Sequence, residues 1–250
     1  MDKRKTVLVT GCNGGIGKAM CREFSAAGYL VIGTDIHASK HVECDWYLSC
    51  DLLSLSSDGA TQEQFREAVT GFVDNKSANL TAIINNAAVQ ITGSLEQLSV
   101  SDFQACMQVN VVAPFVLAKL FDLPLRQSKG AIVNIGSIHS RLTKPAFCAY
   151  STSKAALSGL SRALALEFAG EVTVNTISPA ATKTDMLIAG FKGRQEKYDE
   201  LASYHPAGRI AEPEEIAHMA LFLCSESARF ITGADMPIDG GMGGRLHDPA

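Results

Sequence analysis

The chain has 250 residues, of which 46% are hydrophobic and 19% charged, with a formal net charge of −4. That composition builds a globular core and excludes an intrinsically disordered chain. The mild acidity argues against a nucleic-acid-binding surface or a polybasic membrane patch.

In chain order, short β-branched runs predict strands at 6–10, 29–34, 46–50, 80–84, 131–135, 172–177 and 235–238. Helices are expected between them at 16–27, 62–73, 101–121, 151–168 and 214–224. In the first of these, Ile16, Met20 and Phe24 recur on one face. Such alternation without a linker predicts one α/β domain over 1–250, a doubly wound parallel sheet with helices on both faces, as in a Rossmann fold. The seven cysteines are scattered and form no CxxC pair, so neither a metal site nor a disulfide framework is suggested. The apolar run at 6–10 is too short for a signal segment, and a cytoplasmic protein is expected.

The first chemistry lies where the first strand ends, in Thr10-Gly11-Cys12-Asn13-Gly14-Gly15-Ile16-Gly17. A strand that turns through glycines into a helix lets a pyrophosphate approach the backbone and rest on unpaired N–H groups at the helix N-terminus. The spacing is GxxxGxG, not GxGxxG, and a glycine cluster alone is often only a turn. Asp35 closes the second strand 18 residues after Gly17. That is near the ~20-residue offset at which an acidic residue accepts hydrogen bonds from the adenosine ribose. No Arg or Lys stands at 12–14 or at Ile36 to receive a 2′-phosphate, although His37 carries partial charge, so NAD(H) is expected over NADP(H).

Further on, Ser137 follows a strand end, and Tyr150 and Lys154 stand four residues apart, one helical turn, facing the same way. A Tyr-x-x-x-Lys pair alone usually marks an exposed helix face. Here it follows a strand-end serine and a dinucleotide loop.

Together these residues resemble the short-chain dehydrogenase/reductase family, in its branch of about 250-residue enzymes. The loop at 10–17 is similar to that branch's TGxxxGxG and Asn85-Asn86-Ala87-Ala88 to its NNAG. The stretch 175–186 resembles the family's nicotinamide-holding segment, and Asp239-Gly240-Gly241 its closing DGG. The resemblance implies an NAD-dependent oxidoreductase acting on an alcohol or carbonyl, with Asn110, Ser137, Tyr150 and Lys154 as catalytic residues. Tyr150 would be the acid/base, its phenolate favoured by Lys154 and the nicotinamide charge. Lys154 would also bind the nicotinamide ribose, Ser137 would donate to the substrate oxygen, and Asn110 would hold a water leading to Lys154. Cofactor contacts are implied for Gly11, Cys12, Asn13, Gly15, Ile16, Gly17, Asp35, Ile36, Asp51, Leu52, Asn86, Ala87, Ala88, Tyr150, Lys154, Pro179, Ala180, Thr182 and Thr184.

Three positions depart from the pattern: Ala88 and Ala180 replace glycines, and Thr182 stands where Ile or Val is usual. If position 180 needs a positive φ, the turn there must differ. Substrate contacts are expected from Ser137, His139, Phe147 and Tyr150, with Ser140 and Arg141 at the border. Arg141 is either an anion-binding group or simply solvated. The segment 184–209, with Gly190 and Gly193 inside it, reads as a substrate lid. Helices 101–121 and 151–168 carry apolar residues on more than one face, which predicts a homodimer or homotetramer. Two other functions fit the same fold, a non-catalytic nucleotide-sensing scaffold and sugar epimerase or dehydratase chemistry on the same Tyr/Lys pair.

Overall fold

A computed structural model describes residues 3–37 and 43–244. Seven strands lie among them: β1 (Lys5–Thr10), β2 (Leu30–Asp35), β3 (Trp46–Ser49), β4 (Asn79–Asn85), β5 (Ala131–Ile135), β6 (Thr173–Pro179) and β7 (Asp235–Ile238). They match the expected strands with ends shifted by a residue or two. All pair in parallel, in the order β3-β2-β1-β4-β5-β6-β7. The central strands read as near-continuous apolar runs because both sheet faces are covered. On one face Val7, Val9, Val31, Ile84 and Val133 pack under α1 (Gly15–Ala26) and α10 (Pro213–Leu223). On the other, Leu8, Ile32, Ile83 and Ile132 pack under the remaining long helices. Pro237 lies in edge strand β7, where a missing N–H costs no ladder bond.

The other helices are α2 (Leu52–Ser57), α3 (Gly59–Asn75), α4 (Val100–Met107), α5 (Ala113–Leu120), α6 (Asp122–Gln127), α7 (Cys148–Glu167), α8 (Asp185–Gly190) and α9 (Gln195–Ser203). Four of them, α2, α6, α8 and α9, are too short for apolar periodicity to reveal. The helix expected at 101–121 is divided by a π-helical turn, Gln108–Val112. Pro114 offers no N–H to the carbonyl of Asn110 four residues earlier, so the regular bond pattern cannot run through. The stretch Val100–Leu120 is apolar and long enough to span a membrane by length and composition, yet it packs on the sheet with Val109, Ala113 and Leu117 in the core.

Helix α7 begins at Cys148, three residues earlier than expected, after Ala146 takes a left-handed φ of 70°. Its buried side is unusually polar, with Ser153, Lys154, Ser158 and Ser161 among the buried residues. Asn134 Nδ2 donates to Ser161 Oγ at 2.8 Å, and Ser161 and Thr176 share a hydrogen bond of 2.7 Å. Ser158 Oγ donates to Asp235 Oδ2 at 2.7 Å. Apolar packing tolerates sliding, whereas paired polar groups in a dry interior fix one register. The serines therefore set where α7, and with it Tyr150 and Lys154, stands against the sheet.

Candidate active site

The C-terminal ends of β1, β4 and β5 open together, on either side of the point where strand order reverses between β1 and β4, which is where open α/β sheets bind ligands. At the end of β1, Gly11 has a φ of 66°, and a Cβ there would meet the backbone of Ala87. A Cβ on Gly17 would strike the Gly11 carbonyl oxygen. The N-terminus of α1 has no side-chain cap and no acidic residue in its first turn, so its N–H groups are left for an anion. The loop therefore fits a dinucleotide pyrophosphate. A Cβ on Gly15 would meet the Thr184 side chain, which places the start of α8 against the loop.

Several sequence-predicted cofactor residues have other work as well. Asn86 Nδ2 donates to the carbonyls of Thr10 and Gly11, both at 3.0 Å, and so holds the glycine loop from β4. Thr10 Oγ1, which sequence reading did not single out, accepts the N–H groups of Asn86 and Ala87. Cys12 is fully buried, its side chain against Gly33 and its N–H donating to the Thr34 carbonyl at 3.3 Å, so it shapes the loop from beneath. Leu52 is a core residue at the start of α2, and Asp51 caps that helix by accepting from the Leu53 N–H at 2.9 Å. Ala88 is exposed, so its methyl displaces nothing in the core.

Asp35 sits at the end of β2 as its register requires. Its carboxylate accepts from the Asn13 N–H at 3.0 Å and the Ile36 N–H at 2.8 Å, which fixes it at the mouth of the loop. Tyr47 hydroxyl donates to the Asp35 carbonyl at 3.1 Å and is also hydrogen-bonded to that of His37, bracing this turn from β3. Pro179 ends β6, and the Ala180 N–H donates to the Ile238 carbonyl at 3.0 Å. Ala180 is absent from the left-handed residues, so the glycine it replaces was not needed for conformation. Thr182 is buried, and Thr184 caps α8 by accepting from the Leu187 N–H.

Ser137 follows β5, and its hydroxyl accepts from the His139 N–H at 3.2 Å. Lys154 is buried, and its Nζ lies 5.7 Å from the centre of the Tyr150 ring and donates to the Ile135 carbonyl at 2.7 Å. Burial holds the Tyr150 phenol above its ordinary pKa, and the influence of the nearby Ser137 hydroxyl only partly offsets that. Burial pulls the Lys154 ammonium down to about 8. Desolvation is the largest influence on the phenol.

Asn110 sits in the π turn with its side chain fully engaged. Its Oδ1 accepts from the Val89 N–H, and its Nδ2 donates to the Val89 carbonyl and to Ser153 Oγ, each at 2.9 Å. A water held by Asn110 is therefore left to the backbone carbonyl that Pro114 cannot serve. Beside Tyr150, the rings of His139 and Phe147 stack at 4.5 Å, and each meets Tyr150 edge-on, at 6.0 and 6.2 Å. Lys144 Nζ lies 4.6 Å from the Phe147 ring centre, a neighbour that the sequence reading missed. Arg141 is exposed and makes no ion pair among the described residues.

The start of α8 lies against the glycine loop, and α9 follows it in the same segment. Neither buries a residue fully, yet the ends of the segment are joined, since the Lys183 N–H donates to the Ala211 carbonyl at 2.8 Å.

This geometry agrees with what the chain is similar to. The family model described as enoyl-(acyl carrier protein) reductase matches residues 11–243. Protein FixR of Bradyrhizobium diazoefficiens is 36% identical over 247 residues, 95% of this chain and 86% of that one. The ligand-free aldohexose dehydrogenase of Thermoplasma acidophilum superposes with a TM-score of 0.89 at 27% identity, covering 99% of this chain and 97% of its own. ElxO, solved with NADP bound, gives 0.85 at 27% identity, covering 97% and 100%. With glycine loop, strand-end serine and Tyr/Lys helix assembled at one edge of such a sheet, the chain belongs to the short-chain dehydrogenase/reductase family, oxidoreductases that act on carbonyl and hydroxyl groups with a nicotinamide cofactor.

Proposed function

We propose that this protein is an NAD(H)-dependent dehydrogenase or reductase of a small alcohol or carbonyl compound, with Tyr150 as its acid/base. The observation that carries this reading is the pairing of Tyr150 and Lys154 one turn apart on α7, with Lys154 Nζ 5.7 Å from the Tyr150 ring centre and the ring beside the turn that follows Ser137. When bound, the nicotinamide supplies or accepts the hydride. Gly11, Gly15, Ile16 and Gly17 cradle the pyrophosphate with their backbone, while Asp35 takes the adenosine ribose, and Pro179 to Thr184 border the nicotinamide. Ser137 donates to the substrate oxygen and orients it, and Tyr150 gives that oxygen its proton in reduction or removes it in oxidation. A phenol held above its ordinary pKa is already in the form a reduction needs. For oxidation, the positive ring of NAD⁺ beside Lys154 lowers the cost of phenolate.

His139 and Phe147 form the aromatic wall of the substrate space, with Arg141 at its border, and the segment 184–209 closes over it to exclude water. Seven free cysteines suit a reducing compartment, and we infer a cytoplasmic enzyme.

A panel of alcohols and ketones followed at 340 nm tests the reaction. Tyr150→Phe should lower kcat by ~10²-fold or more on a true substrate, with cofactor affinity nearly unchanged. Near-normal turnover by that variant would sink the mechanism.

A further inference from the structure

Between Tyr150 and Lys154 the helix carries a hydroxyl that is completely buried: Ser153 has no exposed surface. Its Oγ donates to the Tyr150 carbonyl at 2.7 Å and accepts from Asn110 Nδ2 at 2.9 Å. Asn110 in turn grips both backbone groups of Val89, with an N–H and a carbonyl each at 2.9 Å. Val89 follows Asn86 and Ala87, whose N–H groups are held by Thr10 beside the glycine loop. An unbroken chain of hydrogen bonds and two residues of backbone thus runs from the dinucleotide loop through the end of β4 to the first turn of α7.

We propose that Ser153 is a positioning residue of the reaction centre, the strut that transmits the seat of the β4 end to Tyr150. The carbonyl it holds belongs to the tyrosine whose phenol must meet both Ser137 and the substrate oxygen. A helix interior does not need this bond, since the backbone already pairs that carbonyl with the N–H four residues on. A serine that folds back on the preceding turn slightly disfavours a helix, so its placement here is better explained by the Asn110 amide it receives. The other buried serines, Ser158 and Ser161, fix α7 farther along and Lys154 ties it to β5, whereas Ser153 is the contact that ties its first turn to Asn110 and the end of β4.

The inference rests on Tyr150 as the proton-transfer group. Ser153→Ala removes one oxygen and suits a helix, so the variant should fold. Its kcat should fall about tenfold while the KM for substrate and cofactor moves less than twofold, because a displaced acid/base costs rate rather than binding. A second readout needs no substrate. Ultraviolet difference titration of the protein with saturating NAD⁺, in pairs with and without Tyr150→Phe, isolates this phenol from the other four tyrosines. In Ser153→Ala its midpoint should rise by about half a pH unit, because the phenol shifts away from the Ser137 hydroxyl that pulls it down. If kcat stays within twofold and the midpoint does not move, Ser153 is only a fold contact and the proposal is overturned, whatever happens to the melting temperature. Full turnover by Tyr150→Phe instead removes the acid/base reading on which it stands.

Discussion

The cofactor preference is expected to rest on a single side chain, Asp35, and the pH range on another, Lys154. The Asp35 carboxylate is pinned by the N–H groups of Asn13 and Ile36, so it cannot swing away from a ligand. A 2′-phosphate of charge near −2 held ~4 Å away at an effective dielectric of ~20 is repelled by several kcal/mol. Screening brings that to ~2–4 kcal/mol, or about 30- to 1,000-fold in kcat/KM in favour of NAD(H). Asp35→Ser should relax the preference, and adding Ile36→Arg should move it toward NADP(H). Since ElxO was solved with NADP, equal use of both cofactors by the wild type is the outcome that would reject Asp35 as the selector. Lys154 governs the alkaline side. Burial destabilises its charged form, so the proton is lost as pH rises through about 8 rather than near its ordinary value. The kcat/KM for NADH reports the cofactor-free enzyme and should decline through that range. Lys154→Arg, whose charge does not titrate there, should abolish the decline; an unchanged limb in that variant would place it on another group.

At the level of elements, the segment 184–209 stands apart from the rest. Neither α8 nor α9 has a fully buried residue, and the pair Lys18–Asp185, 3.8 Å apart with Asp185 largely exposed, is a weak tether to α1. Elements with so few buried contacts open first. Limited trypsin should therefore cut at Lys192, Arg194 or Lys197 before the core, and NADH with a substrate should slow that cleavage several-fold. First cuts in α3 or α7 would show that the segment is no lid. These short helices also mark where sequence reading ends. The long buried strands were legible because both faces of the sheet demand apolar residues, and Gly11, Asp35, Ser137, Tyr150 and Lys154 were legible because their spacing is tied to strand ends. The π turn was hidden, although Pro114 inside an apolar helix was its signal. So were Thr10, Ser153 and Tyr47, common polar residues each with a partner on another element 10 to 77 positions away in sequence. Nothing local distinguishes such residues from solvated ones. The Asn110 amide illustrates the gap: its residue type and place were readable, while its partners, Val89 and Ser153, were not.

For the whole molecule, the apolar surface left on a single chain points to an assembly. On the face covered by α5 and α7, Phe115 is 47% exposed and Leu166 81%. On the opposite side of the sheet, Phe222 of α10 is 42% exposed, and Phe230, just before β7 at the sheet edge, is fully exposed. Single exposed apolar residues are ordinary, and in the expected assembly these two sets are taken as two separate self-contacts. Two isologous contacts about different axes generate a closed tetramer, whereas one gives only a dimer. Light scattering should therefore return a mass near four chains of 26.6 kDa. Each patch should be separable, since a carboxylate buried without a partner in an apolar contact is costly. Phe115→Asp should split the tetramer into dimers that keep the contact through α10, and Phe230→Asp should give dimers that keep the contact through α5 and α7. The double variant should be a monomer that retains the circular dichroism of the folded chain. A wild-type monomer at micromolar concentration contradicts the assembly outright. A tetramer that survives both substitutions would instead place the contacts on other surfaces.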